Sequence, residues 1–238
     1  ISNIKLIHIG KCAGTLIQQQ LGINQYHLKK PIYNISYKYI IWIRNPIKRF
    51  VSAFNFAYAL ITEDTSNYNK NDLTLDNCLA PMRIKHKMTH SHTFSQEYDE
   101  LVLFFGSANS LAEGLTHENE NIKSKALKLM TNNLEHIYKG IGYYLDNGLF
   151  VTNYNKNILF VGKMENMEQD CQKLSMIMNK KIDNSQKVRE NTKVQNKHLS
   201  DTAINNIREF YKYTDYKALQ ELYNYRFIDY NTLQEYYE

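Results

Sequence analysis

Lys11 and Gly14-Thr15 stand directly behind an apolar run, Ile4-Lys5-Leu6-Ile7-His8-Ile9, in a pattern suited to holding a phosphate. A short strand, a glycine-bearing turn and a helix start turn backbone N–H groups toward an anion, and the positive end of the helix dipole favours it. Cys12, Ala13, Gly14 and Thr15 carry those N–H groups, and Lys11 adds a cation. The lysine comes early in this loop, whereas a Walker A lysine follows the last glycine and directly precedes Ser or Thr. A second set of groups follows in Arg44-Asn45-Pro46, with Ser52 eight residues after Arg44. An arginine fork with a serine hydroxyl suits a phosphate monoester.

The elements that must position these groups are legible around them. Tyr39 to Ile43 is continuously apolar and rich in β-branched residues, the signature of a strand buried on both faces. Asn45 is a good N-cap and Pro46 fits the first helical position. Phe50, Val51, Phe54, Tyr58 and Ile61 then recur with helical spacing as a buried face, with Asn45, Lys48 and Ser52 on another. Arg44 therefore stands at the carboxyl end of a strand, the edge at which open α/β sheets bind ligands.

With both elements present, the chain resembles the sulfotransferases that use 3′-phosphoadenosine 5′-phosphosulfate (PAPS). Lys11-x-x-Gly14-Thr15 is similar to their 5′-phosphosulfate loop, and Arg44-Asn45-Pro46 with Ser52 to their 3′-phosphate element. Cys12-Ala13, the run Gly162 to Asp170 and the stretch Arg189 to Tyr223 most resemble the carbohydrate branch, of heparan and chondroitin type. The resemblance implies a P-loop-like, three-layer α/β fold with a central, mainly parallel sheet flanked by helices. It implies a single domain over 1–238, with nucleotide elements at 4–21 and 37–61. An acceptor-side insert would span about 62–147, and a late segment covering the cofactor about 185–200.

The implied reaction moves the sulfuryl group of PAPS to a hydroxyl, most simply that of a carbohydrate, and leaves 3′-phosphoadenosine 5′-phosphate (PAP). Such transfer needs in-line placement, charge stabilisation on the leaving side and a base for the nucleophile. Lys11 is the leaving-side cation, and Thr15 with the loop N–H groups holds the 5′-phosphate. Arg44 and Ser52 take the 3′-phosphate, and Arg189, matched by region, joins the cofactor contacts. Histidine is the usual base near neutral pH. In glycan-modifying relatives it comes from the interval between the two cofactor elements, which here contains His27. His86, His90 and His92 form a rival cluster, read as a substrate-side loop or the source of the base rather than a zinc site, and no metal is expected. His8 reads as a core histidine, Arg49 as an ordinary surface arginine or a cofactor contact, and Glu165 as a first-turn carboxylate favoured by the helix dipole.

Composition sets the outer bounds. The 238 residues carry a net charge of +5, too modest for a nucleic-acid coat and compatible with a cationic cleft for an anionic cofactor. Three cysteines, Cys12, Cys78 and Cys171, show no paired or metal-like spacing and lean toward a reducing compartment. No run approaches a membrane span, so a cytoplasmic location is expected, with an anchor ahead of Ile1 left open. Two other readings stand beside the sulfotransferase: a kinase-like phosphotransferase, which would want a Walker A lysine and an acidic magnesium ligand, and a non-catalytic nucleotide or glycan-binding module.

Elsewhere the pattern predicts a polar loop or lid from Leu60 to Asn77, with a short helix near Leu73 to Leu79. Helices are expected over Glu97–Leu115 and Asn119–Tyr138, and short extended pieces at Gly140–Tyr144 and Gly148–Val151. A buried strand is expected at Ile158–Gly162. A helix with a Met167, Cys171, Leu174, Met178 core stripe follows it, and two closing helices run over Ser200–Tyr213 and Asp215–Tyr225.

Overall fold

A continuous β-branched and aromatic run is best satisfied in the middle of a parallel sheet, and Tyr39 to Ile43 occupies that place. In a computed structural model describing residues 3–27, 29–62, 96–133, 135–183 and 197–237, every one of these five side chains is fully buried. The chain divides into two compact units. The first comprises Ile1–Arg49, Lys139–Thr192 and Ile207–Glu238; the second comprises Phe50–Tyr138 and Lys193–Asn206.

The first unit is an α/β fold around a four-stranded, wholly parallel sheet in the order β2-β1-β3-β4. Its strands are β1 (Ile4–Ile7), β2 (Asn24–Tyr26), β3 (Lys38–Ile43) and β4 (Ile158–Lys163). Alternation along the pleat sends Leu6, Ile40 and Trp42 to one face. There they pack with Ile17 and Leu21 of α1 (Gly14–Leu21) and with Cys171 and Leu174 of a helix over Met167–Met178. Tyr39 points to the other face and meets Phe150 edge-on, with ring centroids 5.0 Å apart. Gly162 lies opposite Trp42 in the β3–β4 register, and a Cβ there would come within 2.5 Å of the indole. Only glycine lets the two strands pair beneath that ring. β4 is less buried than expected, its central residues Leu159 to Val161 being half-exposed.

The Asn-Pro signal is realised. α2 (Pro46–Thr62) starts at Pro46, and Asn45 Oδ1 accepts from the backbone N–H groups of Ile47 (2.9 Å) and Lys48 (3.1 Å). The buried stripe of α2 includes Phe50, Val51, Ala53, Phe54 and Ala57, while Tyr58 is half-buried. The helix runs on through Leu60 to Thr62, which the sequence reading assigned to a loop; the rest of that loop lies outside the described residues.

In the second unit, the expected helix over Glu97–Leu115 is two helices, α3 (Gln96–Phe105) and α4 (Ala108–Gly114). Gly106 adopts φ +64°, which ends the first, and the Ser107 side chain caps the second by accepting from Ser110 N–H. The helical stretch after Asn119 is likewise segmented into α5 (Glu120–Lys128), a π-turn over Leu129–Asn133 and α6 (Glu135–Tyr138). Ser200 ties this unit together, its Oγ donating to Glu113 (2.6 Å) and its N–H to Asn109 (2.8 Å).

The two glycine-aromatic segments read as extended are helical, forming α7 (Ile141–Leu145) and α8 (Leu149–Tyr154). The cause is tertiary. Gly142 N–H donates to Asp215 Oδ1 at 2.9 Å, a helix cap supplied from 73 residues away. A Cβ at Gly142 would come within 2.5 Å of the Thr214 backbone, so glycine permits that close approach. α9 (Met167–Met178) carries the predicted core stripe, with Cys171 and Leu174 buried and Met167 and Met178 packed at its margin. Helices α10 (Asp201–Tyr211), α11 (Asp215–Asn224) and α12 (Tyr230–Tyr237) close the chain, the last of them unanticipated.

Candidate active site

Parallel strands put all their carboxyl ends on one edge, so β1, β2, β3 and β4 deliver their following residues side by side. The end of β1 supplies the loop from Gly10 to Gly14. Lys11 and Ala13 both adopt left-handed backbone, φ +68° and +62°, the strained alternation that curls successive N–H groups into an anion-binding concavity. No side chain caps the start of α1, which leaves the helix's first amides to the loop face. Lys11, Ala13 and Thr15 are half-buried, whereas Cys12 and Gly14 are buried. Burial pushes the Cys12 thiol up to about 12 despite the nearby Arg49 and Arg44 guanidinium groups, so it remains a neutral core group. Cys12 can serve the loop through its backbone alone.

Arg44 follows β3 and reaches the loop directly: its Nη1 donates to the Lys11 carbonyl at 3.2 Å. The two sequence elements thus converge in space. His27 follows β2, a three-residue strand that the sequence reading did not find, next to β1 in the sheet. His8 N–H donates to the Tyr26 carbonyl at 3.0 Å, extending that pairing, and His27 Nδ1 donates to the His8 carbonyl at 3.1 Å. With its proton on Nδ1, neutral His27 carries its basic lone pair on Nε2. The two imidazoles stack with centroids 4.1 Å apart and planes 25° from parallel.

His8 is the buried histidine the sequence suggested, 6% exposed, its Nδ1 2.6 Å from Gln25 Oε1. Burial lowers its pKa to about 3, His27 and Lys11 adding to the effect while the Gln25 hydrogen bond opposes it. His8 also explains Gly14: a Cβ there would lie 2.0 Å from His8 Cδ2. The phosphate-type loop, His8 and His27 are therefore one packed stack.

Of the other predicted residues, Ser52 is half-buried on α2 and belongs to the second unit. Arg189 and the cluster of His86, His90 and His92 lie outside the described residues. Among the described residues, a cavity of about 840 Å³ opens along β4 and the Tyr223–Asp229 segment, and its lining includes none of Lys11, Thr15, Arg44 or His27. The sheet edge, not that cavity, gathers the candidate groups.

The sulfotransferase family model matches residues 11–237, nearly the whole chain and both nucleotide-type elements. This chain belongs to the sulfotransferase family. Comparisons with curated proteins and with solved structures return no match.

The donor set of this sulfotransferase fits a phosphosulfate: a curled loop of amides, an uncapped helix start, a lysine and an arginine on one edge. Two further residues bear on the sequence reading, Arg49 correcting it and Glu165 extending it. Arg49, expected as a surface arginine or cofactor contact, is instead fully buried; its Nη2 pairs with Asp215 Oδ2 at 3.2 Å and its guanidinium lies over Tyr211. Its spacing with Ala53 and Ala57, at steps of four on the buried stripe, was the available signal. Glu165 is, as expected, a first-turn carboxylate, in the 3₁₀ turn (Met164–Asn166) that precedes α9, and it also bonds to other elements. Its Oε1 accepts from Asn45 N–H (3.1 Å) and its Oε2 from the Tyr236 hydroxyl (2.5 Å). Among the described residues, no helix is long and apolar enough to cross a membrane.

Proposed function

We propose that this protein transfers the sulfuryl group of PAPS to a hydroxyl of a carbohydrate acceptor, releasing PAP. The observation that carries the reading is the convergence of the Lys11 loop, Arg44 and His27 on one edge of a parallel sheet, within a chain of the sulfotransferase family. When bound, PAPS supplies the activated sulfuryl group, its sulfur–oxygen bond to the 5′-phosphate being the bond that breaks.

Each residue then has a task. The loop amides from Cys12 to Thr15, with the Thr15 hydroxyl, hold the 5′-phosphate. The Lys11 ammonium stabilises charge developing on the leaving oxygen. Arg44, with Ser52 and Arg189, takes the 3′-phosphate, for which a guanidinium fork is better suited than an ammonium. His27 Nε2 accepts the proton of the attacking hydroxyl as the new sulfur–oxygen bond forms. Its Nδ1 bond to the His8 carbonyl holds the required tautomer and ring direction. The tyrosine-, histidine- and lysine-bearing section between the nucleotide elements and β4 suits a polar, anionic saccharide.

Calorimetric titration with PAP, against ADP and ATP–magnesium as controls, tests the cofactor. Tight binding of PAP alone supports the reading, and preference for ATP–magnesium overturns it in favour of a phosphotransferase. In a PAPS-dependent glycan sulfation assay, Lys11→Ala and His27→Ala are expected to lower turnover by at least about a hundredfold. PAP affinity should change little in His27→Ala. Full activity in His27→Ala would transfer the base to another histidine.

A further inference from the structure

We propose that Glu165, held by Tyr236 of the C-terminal helix, is a positioning residue that sets Arg44 against the phosphate-type loop. The inference rests on the reading of Arg44 as the 3′-phosphate ligand.

The argument begins at one amide. The N–H that Glu165 Oε1 accepts belongs to Asn45, so it is part of the peptide bond leaving Arg44. A carboxylate on a backbone N–H makes a charge-assisted bond, stronger than a neutral one. It fixes the chain direction one bond beyond the Arg44 Cα. On the other side of the residue, the Arg44 guanidinium donates to the Lys11 carbonyl at 3.2 Å. Arg44 is thus pinned at both ends, by Glu165 at the backbone and by the loop at the fork.

Glu165 is itself held. Its second oxygen accepts from Tyr236, which is fully buried, so that hydroxyl is shielded from competing water. α12 grips the same corner a second time, since Asn45 Nδ2 donates to the Glu235 carbonyl at 3.1 Å. Asn45 is 5% exposed and its four polar groups have separate assignments: N–H to Glu165, Nδ2 to Glu235, Oδ1 to the first amides of α2 and the backbone carbonyl to Arg49 N–H. Lys163 at the end of β4 adds a 2.7 Å bond to Thr232 Oγ1 on the same helix. The exposed Lys48–Glu235 pair contributes little. The path from Tyr236 through Glu165 and the Arg44–Asn45 peptide to the Lys11 carbonyl joins the last helix of the chain to its first loop.

Removing an ordinary structural carboxylate would lower stability without choosing between nucleotides. A positioning residue for Arg44 affects only ligands that use Arg44. The test is therefore the ratio of dissociation constants for PAP and for adenosine 5′-phosphate, which lacks the 3′-phosphate, by calorimetry on the full chain. Wild type is expected to prefer PAP by at least tenfold. Glu165→Ala is expected to cut that preference by about tenfold, while affinity for adenosine 5′-phosphate stays within about twofold. Glu165→Gln should retain the preference within about threefold, because its carbonyl oxygen can still accept from Asn45 N–H. Tyr236→Phe removes one hydroxyl and should lose about threefold. It carries the test if Glu165→Ala does not fold. Equal loss for both nucleotides in Glu165→Ala or Tyr236→Phe, or an unchanged preference in both, overturns the proposal. No preference in the wild type would instead remove Arg44's own role, and with it the basis for a brace.

Discussion

Adding one methyl group at Gly14 asks whether the loop, His8 and His27 are a single packed stack. A Cβ at this position would lie 2.0, 2.4 and 2.6 Å from His8 Cδ2, Cγ and Nε2. His8 has little room to yield: it is 6% exposed, its ring lies 4.1 Å from that of His27, and Nδ1 is bonded to Gln25. Overpacking of this kind costs about 1–3 kcal/mol, and a broken hydrogen bond adds about 1 kcal/mol. Replacing Gly by Ala in a helix returns at most about 1 kcal/mol, less at its first residue. The net expectation for Gly14→Ala is about 2–3 kcal/mol of lost stability, a melting temperature lower by roughly 5–10 °C for a chain of this size. Thermal melting monitored by circular dichroism reads this directly. The double variant Gly14→Ala/His8→Ala supplies the control, since removing the imidazole makes room for the methyl. The double variant should be more stable than the sum of the two single losses predicts, by at least about 1 kcal/mol. A Gly14→Ala protein as stable as wild type, or strict additivity in the cycle, would refute the packing argument.

Two further tests follow from buried charge. Burial holds His8 neutral, its pKa lowered from 6.5 to about 3, so the unfolded chain takes up a proton that the folded chain refuses. That contribution is fully present above about pH 6.5 and is lost as pH falls toward 3, the loss reaching about 2 kcal/mol at pH 5. Urea unfolding at pH 7 and pH 5 should show a smaller acid loss in His8→Phe than in wild type; equal losses would remove His8 as the cause. Arg49→Met should cost about 3–5 kcal/mol, because it strands the Asp215 carboxylate in the core, and a loss below about 1 kcal/mol would refute the importance of the pair.

Local signals carried much of the nucleotide-side architecture. The Tyr39–Ile43 run, the Asn45-Pro46 cap and the Gly14-Thr15 helix start each state their conformation within a few residues, and each is found where expected. Elements with distant causes were not legible. β2 is three polar, largely exposed residues whose only instruction is the free edge of β1. α7 begins at glycines because Asp215 caps Gly142, and nothing near Gly142 announces that partner. The break at Gly106 is local and legible, since a glycine followed by serine is a standard helix stop and restart.

The same division runs through the candidate site and explains its build. Groups suited to touching an anion, Lys11, Thr15 and Arg44, lie in the first fifth of the chain and are readable from type and spacing. Those that fix their positions come from far along it: Glu165, Asp215 and Tyr236 act on Asn45, on Arg49 and Gly142, and on Glu165 itself. The Glu165–Asn45 contact joins the end of β3 to the turn that follows β4, its neighbour in the sheet. Anion ligands on flexible loops lose affinity to the entropy of ordering them at each binding event. Here that ordering is done at folding, by the half-buried Glu165 and the buried Asp215, whose partners are the Asn45 and Gly142 amides, the Tyr236 hydroxyl and the Arg49 guanidinium rather than the ligand. On the proposed function the early motifs supply the chemistry, and the late turn and helices hold it in place.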